Sequence, residues 1–449
     1  MRRFGALLIT LSGITPAASV FVMGQDVIHQ AGSGAVLAFA AAALLGVSTA
    51  YVYAELASAF PLTGGEYSII GATLGPAWGI MALGLNLVGG ALGQAVFALG
   101  LADYLRVVIP DLDAVATALA VTALATVVTL LNLRVNAWVT GVFLAVELAA
   151  LGAMTALGFL HPHRGIVEVM LHPVMASGAG LAPTPLAAIG LGAAAAVFVF
   201  NGYGGAVFFG EEMYEARSKL PWVVFASLAI AVVAEMAPVV AVMIGSADPA
   251  ALAADRPLPA FLLAAGGEVV EKAVSLGVAF AIVNAMIAVG LINARQLYCS
   301  GRDGVWPGPL SRWLAAVHPG WRSPWVAALV MGAATAGCCF LNLDLLVMLT
   351  STGIVVIYAG VSVAVMVGRR TGSTAPGHYR MPLYPLAPVV SLVALAAVVA
   401  ANLVDPDVGR PSLIANAAVM GLCALYYGLY LRRRGGWKLR GADGLPLEA

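Results

Sequence analysis

A chain of 449 residues that is 61% hydrophobic and only 10% charged cannot cover itself with polar groups as a soluble globule does, where about a quarter of residues are charged. Its 22 basic and 22 acidic residues cancel, which leaves no net positive field for a nucleic-acid partner. Apolar runs long enough to cross a hydrocarbon layer about 30 Å thick recur along the whole length, whereas a soluble helical protein would show one or two, so an all-α polytopic membrane protein is expected.

The runs fall near 5–30, 35–60, 76–102, 114–131, 137–160, 186–209, 221–245, 269–294, 324–340, 344–368, 384–404 and 411–431, which makes twelve transmembrane helices in one domain over 1–431 and a tail over 432–449. Twelve spans put both termini on one side of a lipid bilayer. Seventeen of the 22 Lys and Arg then collect on that side, from Arg2 and Arg3 through Arg134, Arg217, Arg302 and Arg369 to Arg440, while Arg106, Arg164, Arg256 and Arg410 fall opposite and Lys272 lies near a span. Cytoplasmic loops retain such residues, so both termini are expected in the cytoplasm of a bacterial inner membrane. The run after Met1, Arg2 and Arg3 lacks a convincing cleavage site and is expected to stay as the first span. Cys299, Cys338, Cys339 and Cys423 have neither metal-knuckle nor disulfide-framework spacing, and no cofactor or metal is expected.

In chain order, the first span is interrupted at Ser12-Gly13-Ile14-Thr15-Pro16-Ala17-Ala18-Ser19, because Pro16 lacks a donor and its ring opposes the preceding helix. Gly84, Gly89, Gly90 and Gly93 in the third span allow close helix crossing. Glu147 is a carboxylate midway along the fifth span, where charge is costly. The sixth span breaks at Phe198-Val199-Phe200-Asn201-Gly202-Tyr203-Gly204-Gly205. Unwound backbone at that depth must be buried in protein or line a cavity. Spans one and six lead two sets of five, the arrangement of two inverted repeats, about 5–160 and 186–368, with two further helices over 384–431. The half-helix after Pro16 offers free N–H groups to a substrate carboxylate, and carbonyls at the breaks can accept from an ammonium. Phe198, Phe200 and Tyr203 supply an apolar wall, and Gly202→Leu is expected to block binding while leaving the fold intact. Glu235 precedes Pro238 in the seventh span and is expected to satisfy backbone groups there. The eighth span has no Ser or Thr between Leu276 and Tyr298, only Asn284 and Asn293 near its middle, which argues for protons over sodium as a coupling ion.

Four stretches carry a family resemblance: Tyr53-Ala54-Glu55-Leu56-Ala57-Ser58-Ala59-Phe60-Pro61-Leu62-Thr63-Gly64-Gly65-Glu66-Tyr67; Gly210-Glu211-Glu212-Met213 with Ala216-Arg217 and Pro221; Arg295-Gln296-Leu297-Tyr298 with Arg302-Asp303-Gly304-Val305-Trp306-Pro307; and Tyr384-Pro385. In this order, each at a span boundary, they resemble the amino acid–polyamine–organocation transporter family over nearly the whole chain. The resemblance implies a LeuT-like 5+5 inverted-repeat fold with broken helices 1 and 6, alternating access, and a site formed by Thr15, Ala17, Ala18, Ser19, Phe198, Phe200, Asn201, Gly202 and Tyr203. Relatives show a glycine-rich stretch where this chain has Pro16. Gly204 stands where several relatives with cationic substrates are acidic, which points to a neutral amino acid or related amine. Glu147 falls near a polar position of the family's fifth span and is expected to carry a coupling proton. Uncoupled exchange needs no such residue and is the alternative; a non-transporting sensor or a channel is the alternative of another class. His29, His161, His163, His172, His318 and His378 fall mostly in loops, so no catalytic constellation is expected and the chain is not read as an enzyme.

Overall fold

The computed structural model describes residues 2–177, 180–254, 256–350, 352–434 and 437–441. Met1 and, from the expected tail, residues 435–436 and 442–449 lie outside the described residues. Lipid offers the backbone no hydrogen-bond partner, so spans must close their bonds internally, and helices dominate. In chain order these are α1 (Arg3–Ile14), α2 (Pro16–Ala18), a π-helical turn (Ser19–Gly24), α3 (Gln25–Ala31), α4 (Ala35–Ala59), α5 (Glu66–Leu74), α6 (Pro76–Leu105), α7 (Ala114–Thr129), α8 (Leu133–Leu160) and α9 (Ile166–Leu171). They continue as α10 (Leu186–Val199), a 3-10 segment (Tyr203–Glu212), α11 (Ala216–Gly245), α12 (Pro257–Arg302), α13 (Gly308–Leu314), α14 (Trp325–Cys338), α15 (Leu343–Thr350), α16 (Gly353–Thr371), α17 (Leu386–Val404), α18 (Gly409–Tyr426) and α19 (Arg432–Arg434).

Among the described residues, nine helical segments are long and apolar enough to cross a membrane, with Arg3–Ala59 taken as one segment of 57 residues. That segment contains the first two expected spans and turns at Gly32, whose φ of 55° suits a residue without Cβ. The shorter apolar helices α7 and α14 have 16 and 14 residues. Local sequence sets the boundaries: Asp113 and Asn132 accept the N–H groups of Ala116 and Val135 at 2.7 and 3.0 Å and so cap α7 and α8. Within α12 the helix is interrupted at Gly267, two residues before the expected eighth span begins.

Packing puts α1 among α8, α11 and α12, while α11 also packs on α4, and α10 on α3 and α4. Between α9 and α10 the chain forms an antiparallel strand pair, β1 (Val174–Ser177) with β2 (Gly180–Pro183). Ser33 ties it down by accepting from Val174 N at 2.8 Å and donating to Val174 O at 3.1 Å. At the opposite end of the bundle, Arg3 lies over Trp222 at the start of α11, and Ser58 donates to the Arg217 carbonyl at 2.6 Å. Residues 437–441 lie at this end too, where Arg440 N donates to Asp303 Oδ1 at 3.3 Å.

Candidate functional site

At the first break the helix stops because Thr15 adopts φ 52°, ψ 66°, a left-handed conformation that costs a β-branched residue on the order of 1–3 kcal/mol and persists only where its surroundings impose it. The donors around it are mostly used locally. Thr15 N bonds Leu11 O, Pro16 has no N–H, and Ser19 N bonds Thr15 O. Ala17 N–H, aimed away from the helix, instead donates to Glu147 Oε1 at 2.8 Å, reaching across from α2 to α8. Asn284 Nδ2 of α12 lies 3.4 Å from Glu147 Oε2. The donor expected to meet a substrate carboxylate therefore meets a carboxylate of the chain itself. Thr15 Oγ1 and Asn284 Oδ1 are buried and have no hydrogen-bond partner among the described residues, which leaves polar capacity unused beside this bridge.

The second break meets the first. α10 ends at Val199, and Gly202 at φ 118° turns the chain into the 3-10 segment. A Cβ on Gly202 would lie 2.9 Å from Ile14 Cα, so the glycine permits direct backbone contact between the two breaks. The expectation that Gly202→Leu leaves the fold intact is thereby corrected: the larger residue has a strained φ and a neighbouring main chain in its way. Phe200 is buried and meets Phe39 edge-on at 5.6 Å, while Phe198 is half-buried. Asn201 accepts from Tyr358 OH at 2.8 Å, and the Tyr203 hydroxyl pairs with Thr49 Oγ1. Tyr53, Tyr203 and Tyr358 form an aromatic triangle with centroids 5.8–6.2 Å apart. A Cβ at Gly204 would lie 2.7 Å from the Tyr53 ring, so that ring occupies the place of a side chain there.

Thr15, Ala17, Ala18, Ser19, Phe200 and Tyr203 are buried in this conformer. Ser19 is turned back on the break and donates to Ile14 O at 2.8 Å. Sequence reasoning missed Thr49, Tyr53 and Tyr358 as parts of this layer; a single tyrosine in the apolar run of α16 is the signal that was available. Glu235 does not satisfy backbone groups near Pro238 as expected, since neither carboxylate oxygen has a partner among the described residues.

The four stretches singled out in the sequence converge at the end that carries the described termini. Arg369 holds Glu55 through two bonds of 2.6 Å, Met381 N adds a third of 2.9 Å, and the Tyr384 ring lies 4.2 Å from the guanidinium. Arg302 forks onto Glu211 at 2.6 and 3.0 Å, and Glu211 also accepts from Thr63 N at 3.1 Å. Arg295 holds Glu212 at 2.8 Å. Tyr67 OH donates to Asp303 at 3.0 Å; burial pushes the Asp303 carboxyl up to about 7, against the opposing pull of Arg302. Forked, largely buried arginine–carboxylate pairs are directional, so together they close this end in one arrangement.

A profile of the amino acid permease family matches residues 2–424. The chain is similar to an uncharacterized transporter of Mycobacterium tuberculosis, 29% identical over 438 residues that cover 95% of this chain and 91% of that protein. It is 27% identical to the branched-chain amino acid permease BcaP of Bacillus subtilis, and 25% identical to a methylthioribose transporter of the same organism, each covering 87% of this chain and 86% of the relative.

Proposed function

Because the chain belongs to the amino acid permease family, and so to multi-pass transporters rather than enzymes, we propose that it performs secondary active transport of a neutral amino acid or related amine by alternating access. The bond from Ala17 N to Glu147 carries this reading, because it joins a titratable carboxylate to the donor a substrate carboxylate would use. In the proposed cycle Glu147 takes up a proton, gives up its claim on Ala17 N–H, and leaves the positive end of the half-helix for the substrate. Thr15 Oγ1 and Asn284 Oδ1, buried without a partner among the described residues, and the carbonyls of the breaks then receive the ammonium. Phe198, Phe200 and Tyr203 close over the apolar part. The Tyr53 ring beside Gly204 favours a neutral substrate, since it stands where a second carboxylate would serve a cationic side chain.

The accompanying architecture is a LeuT-like fold of twelve spans in two inverted repeats of five plus two, set in a bacterial inner membrane with both termini cytoplasmic. On this reading the Glu55–Arg369 and Glu211–Arg302 pairs form the inner gate. Counterflow in proteoliposomes tests the function: labelled neutral amino acids, a branched-chain amino acid first, should enter faster when unlabelled substrate is trapped inside. Absence of acceleration across amino acids and amines, with folded protein in the vesicles, contradicts it. Uncoupled exchange would give the same counterflow but would not respond to a pH gradient.

A further inference from the structure

Next to the Glu211–Arg302 pair, a crevice of about 500 Å³ opens between the end of α12, α13 and the end of the last long helix. Three guanidinium groups line it, from Arg302, Arg312 and Arg434, together with glycines and Ser311, and among the described residues no acidic side chain does. Arg302 is neutralised by Glu211. The other two have no ion pair among the described residues. Arg434 is nonetheless positioned: its Nη1 donates to Trp306 O at 2.8 Å and to Tyr430 OH at 3.1 Å. Its Nη2 lies 3.4 Å from where a Cβ on Gly308 would be, so the missing side chain lets the guanidinium lie close against the start of α13.

Two arginines that face one concave space without an ion pair among the described residues repel each other unless an anion lies between them. The planar fork of arginine matches phosphate oxygens in pairs, and the volume suits a substituted phosphate better than a monoatomic ion. Aromatic rings accompany the lining arginines: Tyr430, bonded to Arg434, stacks on Tyr426 at 5.3 Å, and Trp313, next to Arg312 in α13, is exposed, as amphipathic rings are at the level of lipid headgroups. Arg432 and Arg433 extend the basic run beside it, and such runs draw anionic lipid.

We propose that this crevice binds a phosphate-bearing anion, a phosphodiester or phosphomonoester gripped by Arg312 and Arg434. An anionic lipid headgroup and a free phosphate ester share this chemistry and are separated by experiment. Delipidated full-length protein in nonionic detergent, wild type and Arg312→Gln/Arg434→Gln, is titrated with phosphatidylglycerol, phosphatidylcholine, glycerol 3-phosphate and inorganic phosphate while melting is followed. Wild type should be stabilised by phosphatidylglycerol and not by phosphatidylcholine, and the concentration needed should rise at least tenfold in the double variant. Stabilisation by phosphatidylglycerol alone assigns a lipid headgroup; equal stabilisation by glycerol 3-phosphate assigns a free phosphate ester. Identical responses of wild type and variant, or none to any phosphate compound, overturn the proposal. Native mass spectrometry of the single variant Arg312→Gln, changed at an exposed position, gives a second reading should the double variant fold poorly: bound phospholipid or phosphate ester must fall relative to wild type, and unchanged occupancy overturns the site.

Discussion

Gly202 and Ile14 are in backbone contact: a Cβ on the glycine would come within 2.9 Å of Ile14 Cα and 3.1 Å of its nitrogen. The two helix interruptions, 188 positions apart in sequence from Ile14 to Gly202, therefore pack as one unit. Gly202→Ala should destabilise the purified protein by more than about 1 kcal/mol, since an L-residue at positive φ is strained and the added methyl group meets main chain that cannot rotate away. Gly202→Leu should fail to give folded protein. Thermal melting in detergent checks both, and a wild-type melting temperature for the alanine variant would contradict the contact.

Both breaks were legible because their causes are local: Pro16 removes a donor, and Asn201 with three nearby glycines weakens the helix. Glu147 was legible as a charge in an apolar run. Its partner was not, because the choice of Ala17 as donor depends on how α8 lies across α2, a matter of packing rather than of neighbouring residues. Tyr358 reads as an ordinary apolar helix residue, and Tyr53 only as the start of a family-like stretch, until the fold brings their rings against Tyr203. The pairing of β1 with β2 also escaped notice, since strands of four residues are too short to show an alternating pattern, and what fixes them is Ser33, far away in sequence. The four family-like stretches, by contrast, were found by pattern, and the ion pairs give that pattern a physical reason.

Arg369→Gln should be among the most damaging surface-proximal changes. It leaves Glu55, whose side chain is 1% exposed, without its cation, and breaking a buried pair in this way costs about 3–5 kcal/mol. Glu55→Gln with Arg369→Gln should recover part of that loss, because no uncompensated charge remains. A double-mutant cycle on melting temperature measures the difference; additive losses would mean that the two side chains do not act as a pair.

Asp303 gives the terminus-bearing end a pH dependence of definite sign. Its folded carboxyl is raised from 3.8 to about 7 by burial, beside Tyr67, Arg302 and the backbone of Arg440. The folded protein therefore holds this proton more tightly than the unfolded chain, so the contribution to stability is complete below about pH 4 and is lost as pH rises to about 7. Asp303→Asn should flatten the melting temperature across that window relative to wild type. An unchanged slope would place the titration elsewhere.

Orientation is checked with single cysteines at residues 2 and 440 on a cysteine-free background. An impermeant thiol reagent added to intact cells should label neither position, and should label both after permeabilisation. Labelling of either from outside would contradict cytoplasmic termini.

In the proposed cycle Glu147 takes up a proton and yields Ala17 N–H to the substrate, so that proton and substrate move together. Glu147→Gln keeps the size of the side chain and, like the protonated carboxyl, carries no charge to compete for that N–H, but it cannot take up or release a proton, so it separates coupling from binding. In proteoliposomes with an internal pH probe and a clamped membrane potential, the variant should retain substrate exchange at equal pH, while losing both substrate-induced proton entry and accumulation driven by an imposed pH gradient. Proton movement with substrate at the wild-type ratio in Glu147→Gln would contradict the account and leave this carboxylate a packing residue.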